Sequence, residues 1–196
     1  MSKSFKQKNN RAFTLIETLV AISVFTGAIL GIMGVLSNNL ADINYAKRKV
    51  IATYLAQEGV EYFRNMRDTF VLNQDATSSG WNDFLVKIAD CEKTQGSSGC
   101  YFRDEMDYTD NNSPITGPLF GIVPCLNGVC ESLKYNTTVG SYGYTGLTDS
   151  GFTRTINTAI VNDHEIQIYS TVSWSHAGRS SSVSFSENLF NWQSGI

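Results

Sequence analysis

The chain has 196 residues, of which 42% are apolar and 17% charged, and its net charge is −3. That length holds one domain with a sizeable core and argues against two, while the apolar content excludes a chain disordered throughout. The charge is uneven: Lys3, Lys6, Lys8 and Arg11 give the first twelve residues +4 with no acid, which leaves −7 on the rest and excludes phosphate-backbone binding as a first reading of the body of the chain.

The first predicted element is an apolar helix over residues 13–36, within the stretch RAFTLIETLVAISVFTGAILGIMGVL. About 24 positions at 1.5 Å each span roughly 36 Å, enough to cross the hydrocarbon core of a bilayer. The basic leader in front holds its end on the cytoplasmic side. A cleaved secretory signal is excluded because the run is too long and leads into Ser37-Asn38-Asn39 rather than a small-x-small site.

Glu17 is the difficulty, since an ionised acid toward the membrane interior costs about 2 to 3 kcal/mol or more. A position near the cytoplasmic interface relieves that cost. So does a cut between Ala12 and Phe13, which frees an α-amino group four residues before the acid, where ammonium and carboxylate compensate each other in low dielectric. The pairing fits one helix at i, i+4, or a neighbouring subunit displaced by about 6 Å along the axis.

The leader, followed by Phe13-Thr14-Leu15-Ile16-Glu17 and an unbroken apolar helix, closely resembles the N-terminus of type IV prepilins, which type II secretion pseudopilins share. The resemblance covers about the first 25 residues. It implies cleavage before Phe13 by a prepilin peptidase, methylation of the Phe13 amine, and pairing of Glu17 with that amine during assembly. Two positions depart from the family pattern: Ala12 stands where glycine is usual before the cut, and the usual helix-kinking proline is missing. Gly27, Gly31 and Gly34 occupy that region. Each costs about 1 kcal/mol relative to alanine in a helix, and Gly27 with Gly31 forms a GxxxG pair that lets helices approach closely.

The helical period continues beyond the apolar run through Leu36, Leu40, Ile43, Val50, Tyr54, Leu55, Tyr62, Phe63, Met66 and Phe70, so one helix is expected from 13 to about 70, amphipathic over 37–70. Within it, LAQEGVEYFRNMRD is similar to the same stretch of minor pilins with larger heads; read on its own, it is a surface helix face with Glu61–Arg64 and Arg64–Asp68 pairs. Lys47, Arg48 and Lys49 weaken the positive-inside signal without reversing it.

Residues 73–118 read as connecting loops interrupted by a short helix in WNDFLVKIADCEK. Cys91 and Cys100 flank a flexible loop and are expected to bridge. In VPCLNGVCESLKY the Asn127-Gly128 turn sets Cys125 opposite Cys130, within disulfide reach. A zinc site is disfavoured, because the four cysteines contain no CxxC spacing.

The C-terminal third alternates at period two through Ile156–Ile160, Ile166–Trp174 and Val183–Phe185, with turns at Asn162-Asp163 and Ala177-Gly178: a three-stranded antiparallel meander with one buried face. The amphipathic half of the helix is its natural cover, which gives an α+β fold, a long N-terminal helix packed on a C-terminal antiparallel sheet. Trp192 is expected to pin the tail to the core.

No HExxH, GxxxxGK[ST], GxSxG or GxGxxG is present, and His164 and His176 fall near turns, so an enzyme is not expected, nor any cofactor or metal. Asp104, Glu105, Asp107 and Asp110 lack EF-hand spacing. Asn111 and Asn136 begin sequon-like triplets.

The expected organisation is a leader at 1–12, a membrane and polymerisation segment at 13–36, the amphipathic half of the helix at 37–70, and a globular head at 71–196. The resemblance implies a structural filament subunit, a minor pilin, whose partners are other pilin subunits, the peptidase and an inner-membrane assembly platform. It starts as a single-pass cytoplasmic membrane protein and ends in a surface filament. The alternatives are a type II secretion pseudopilin, a component of a DNA-uptake pilus, and a membrane-anchored extracellular binding protein that never polymerises.

Overall fold

The computed structural model describes residues 14–72, 79–92, 98–103, 121–145, 148–176 and 178–192; the side chains of residues 37, 38, 40 and 41 are not described. The chain divides into two compact units, Met1–Ala46 and Lys47–Ile196.

Helix α1 runs from Leu15 to Leu72. In the first unit it carries the apolar run, and every described side chain from Thr14 to Leu36 is exposed.

In the second unit α1 buries a stripe made of Ala52, Leu55, Ala56, Val60, Phe63, Met66 and Phe70. These recur by threes and fours, as one helix face requires. Val50 and Tyr54, assigned to that face from periodicity, are instead exposed at 54% and 68%. The small residues Ala52, Ala56 and Gly59 hold the contact line, because they let the helix backbone approach the sheet.

Helix α2 (Gly80–Lys87) and a 3-10 turn (Ala89–Cys91) follow, which fits the helical segment expected in the connecting region. That region is nevertheless more than loops. Strand β1 (Cys100–Arg103) lies inside it, and β2 (Gly121–Pro124), β3 (Ser132–Asn136) and β4 (Ser141–Gly143) come directly after. The expected meander is present as β5 (Thr148–Asn162), β6 (Glu165–His176) and β7 (Arg179–Phe190).

Among the described residues all seven strands form one antiparallel sheet, so the fold is α+β. Strand β5 unites it: β6 pairs along one edge, while the other edge takes β3 at residues 148–153 and β1 at Ile156. Strand β7 pairs β6 over twelve consecutive residue pairs with no bulge. Alternation puts Phe152, Ile156, Ile166, Ile168, Val172 and Trp174 on the buried face.

The core has two clusters. One packs Phe63, Met66 and Phe70 with Phe84, Ile88, Phe102, Ile168 and Leu189. The other packs Ala52, Leu55 and Ala56 with Leu133, Phe152, Val172 and Trp174. The C-terminal anchor is Leu189, only 1% exposed; Trp192, expected to pin the tail, is 49% exposed.

Candidate functional site

The N-terminal segment meets the two demands that lipid makes of a helix. It is long and apolar enough, with a mean hydropathy of 2.4 over a span of 22 residues, Leu15–Leu36. The hydroxyls of Thr18, Ser23 and Thr26 are also satisfied within the helix. The Thr18 hydroxyl donates to the Leu15 carbonyl at 2.8 Å, Ser23 to Val20 at 2.8 Å and Thr26 to Ile22 at 2.7 Å. An unmet hydroxyl in hydrocarbon is costly, and these bonds remove that cost.

Glu17 lies in the first turn, where its backbone N–H and that of Thr18 both donate to the Thr14 carbonyl. A helix N-terminus favours negative charge, so the acid sits at the better end of α1. Gly27, Gly31 and Gly34 have no heavy atom within 4 Å of the place a Cβ would occupy. The processing residues Ala12 and Phe13 lie outside the described residues, as do Asp104, Glu105, Asp107, Asp110 and Asn111.

In the head, one disulfide joins Cys91 to Cys100 across a Cα separation of 4.8 Å and ties the 3-10 turn to β1; the other joins Cys125 to Cys130 at 4.4 Å. Between the second pair, Asn127 and Gly128 have φ of 51° and 83°, the left-handed values a tight hairpin turn demands, and Leu126 bridges Val129. Each closure restricts the unfolded chain by roughly 2 to 4 kcal/mol.

Sequence reasoning missed the buried charge beneath α1. Arg154 is 1% exposed; its guanidinium donates to Glu58 at 2.7 Å and to the Leu55 carbonyl at 3.3 Å, and lies 3.8 Å over the Phe102 ring. The alternation of β5 was the available signal, since Arg154 shares the face of Phe152 and Ile156. Beside it, a Cβ on Gly59 would run into the Ser170 Oγ.

Arg64 pairs with Glu61, as expected, and with Glu187 of β7, whereas Asp68, its other expected partner, binds Arg67. The Arg64 guanidinium is held above its ordinary value, chiefly by the hydrogen bond to Glu187, which outweighs burial. The Arg103 guanidinium is raised by Tyr101 first and Glu131 second, and Glu131 also pairs with Lys134. Burial, then Tyr135, pushes the Tyr142 hydroxyl up, against the pull of Arg48. His164 lies in an exposed turn and His176 at the end of β6. Asn136 turns its side-chain oxygen onto the Thr138 and Val139 amides.

Residues 7–26 match the family described as the prokaryotic N-terminal methylation motif. Together with the apolar helix, that match makes the chain type IV pilin-like in its N-terminal segment and supports a pilin- or pseudopilin-like role with a single-pass membrane anchor. Over 49 residues the chain is 39% identical to a protein named Type II secretion system protein I from Aeromonas hydrophila, a stretch covering 25% of this chain and 41% of that relative. The chain thus spans about two-fifths of the length of the curated relative it matches. No solved structure matches.

Proposed function

We propose that the chain is a structural subunit, a minor pilin, of a type IV pilus or related filament. It is cut before Phe13 by a prepilin peptidase, methylated on the new amine, and drawn by an inner-membrane assembly platform into a surface fibre with other pilin subunits. Its work is mechanical rather than catalytic.

The observation that carries this reading is the methylation motif of residues 7–26 running directly into an unbroken apolar helix whose one acid is Glu17. In lipid, a carboxylate seeks a cation, and the freed Phe13 amine of an adjacent subunit supplies one. The open space at Gly27 and Gly31 admits the backbone of a neighbouring helix, where close van der Waals packing replaces the hydrophobic drive that lipid removes.

Mass spectrometry of the chain purified from cells with an active prepilin peptidase tests the proposal. The expected N-terminus is N-methylated Phe13; retention of Met1 to Ala12 overturns it.

The likeness to Type II secretion system protein I favours a second reading, a pseudopilin. Deleting the gene separates the two: a pilin subunit's loss changes surface fibres, whereas a pseudopilin's loss stops export of folded proteins and leaves fibres intact.

A further inference from the structure

The outward face of β6 and β7 has a composition that its surroundings do not explain. Along β6 the outward positions from 167 to 175 read Gln-x-Tyr-x-Thr-x-Ser-x-Ser; along β7 from 180 to 188 they read Ser-x-Ser-x-Ser-x-Ser-x-Asn, bordered by the row of Glu165 and exposed Phe190. The register sets them side by side in rows, with Gln167 beside Asn188, Tyr169 beside Ser186 and Thr171 beside Ser184. Every one of these outward groups is a hydroxyl or an amide, and none is charged. Rows repeat about every 6.7 Å along a strand and about every 4.8 Å across strands, so the face is a regular lattice of groups that both donate and accept.

A merely solvated face of this length would ordinarily carry charges, particularly beside an edge strand such as β7, which natural sheets guard with lysine, proline or a bulge. Lysine, proline and a bulge are absent from β7, and its charges, Arg179 at the start and Glu187 turned inward onto Arg64, lie off the outward rows from Ser180 to Asn188. The face is also ordered internally: the Thr171 and Ser184 hydroxyls lie 2.9 Å apart, and the Tyr169 hydroxyl donates to the Gln167 side-chain carbonyl. At its end Glu165, the bordering carboxylate, accepts from the side-chain amides of Asn188 at 2.6 Å and Asn162 at 3.1 Å.

The chemistry of the lattice selects its occupant. A nucleic acid or an anionic membrane needs Lys or Arg, which the lattice lacks. A protein interface needs an apolar centre and is depleted in serine. A neutral sugar polymer offers the complement: hydroxyls that donate and accept in a regular repeat, and C–H faces that rest on an exposed aromatic ring, here Tyr169 at 36% exposure. We propose that the outward face of β6 and β7 binds a neutral polysaccharide, with Tyr169 as the stacking plate and the Thr171–Ser184 and Gln167–Asn188 rows as hydrogen-bonding partners. The inference goes beyond the filament role and holds for a single chain.

The test uses the full chain in a polyoxyethylene detergent, which carries no sugar, passed over cellulose, chitin and amylose beads, with heparin beads as the anionic comparison. The expected result is retention on at least one neutral polymer, changed less than about twofold between about 50 and about 500 mM salt because no ion pairs are involved. Ser184→Lys and Tyr169→Ala should each weaken retention at least about tenfold while the circular dichroism melt is unchanged. Thr137→Lys, away from the face, should leave retention as it is. Passage through all three neutral columns, retention of both variants as strong as that of the unaltered chain, or retention on heparin alone overturns the proposal. Self-association that Ser184→Lys abolishes, without sugar binding, assigns the face to a second copy and also overturns it. None of these readouts depends on whether the leader is cut.

Discussion

Helix α1 shows two solutions to one problem along a single element. Between Leu15 and Leu36 its side chains are apolar all round and exposed, and its hydroxyls turn back onto its own carbonyls. Between Ala52 and Phe70 the apolar residues narrow to a stripe that the sheet covers. The first stretch takes its stability from a solvent that is not water; the second takes it from burial, at roughly 25 cal/mol per Å² of apolar surface. Substitutions in the first stretch should therefore leave the head's folding untouched and act on assembly, while those in the second should do the reverse.

The largest separation is expected from Glu17→Ala. Filament incorporation, read by quantitative blotting of sheared fibres, should fall at least about tenfold, with membrane insertion and the head's melting temperature unchanged. Normal incorporation would remove the pairing role. Phe63→Ala inverts the pattern: it empties a fully buried site and should cost the head about 3 to 5 kcal/mol in a urea titration, with insertion intact.

Gly59→Ala sharpens the boundary between helix and sheet. The added methyl meets the Ser170 Oγ and Cβ, and about 1 to 3 kcal/mol should be lost. Ser170→Ala in the same chain should restore part of that loss, because it removes the nearer atom and leaves the farther one; an additive double variant would contradict the contact.

The smallest effect is a pH dependence. Tyr142 ionises at higher pH in the fold than in the unfolded chain, because burial disfavours the phenolate. The unfolded state therefore releases its proton first, and the stability present below about pH 10 declines as pH rises through the folded value. Tyr142→Phe should flatten that alkaline decline by less than about 1 kcal/mol, read as the difference between melts at pH 9 and above.

What the amino-acid order reveals divides along the same line. The N-terminal segment is legible because a bilayer imposes one rule on every residue, and Glu17 breaks it visibly. Strands β5 to β7 are legible because each is long enough for alternation to repeat, and Asn127-Gly128 announces its turn. Strands β1 to β4 are not: each is only three to five residues long, and their pairing depends on β5, far along the chain. The contact line of α1 was misassigned at Val50 and Tyr54 because periodicity weights large apolar side chains, whereas close helix–sheet approach selects Ala52, Ala56 and Gly59. Arg154 stayed hidden for the same reason, since a charged residue on an apolar face reads as an error until Glu58 and Phe102 are seen around it.

The position of β5 in the chain also dictates the order of events as the head folds. The strand that unites the sheet begins at Thr148, so the stripe on α1 is made long before its cover is complete, with Phe84, Ile88 and Phe102 following early and Ile168, Val172, Trp174 and Leu189 last. Contacts so distant in sequence form slowly, and the interval before they form leaves part of the apolar stripe open to clumping. Completion of the last quarter of the polypeptide, rather than of the apolar helix, is then the step at which a fully packed head first becomes attainable.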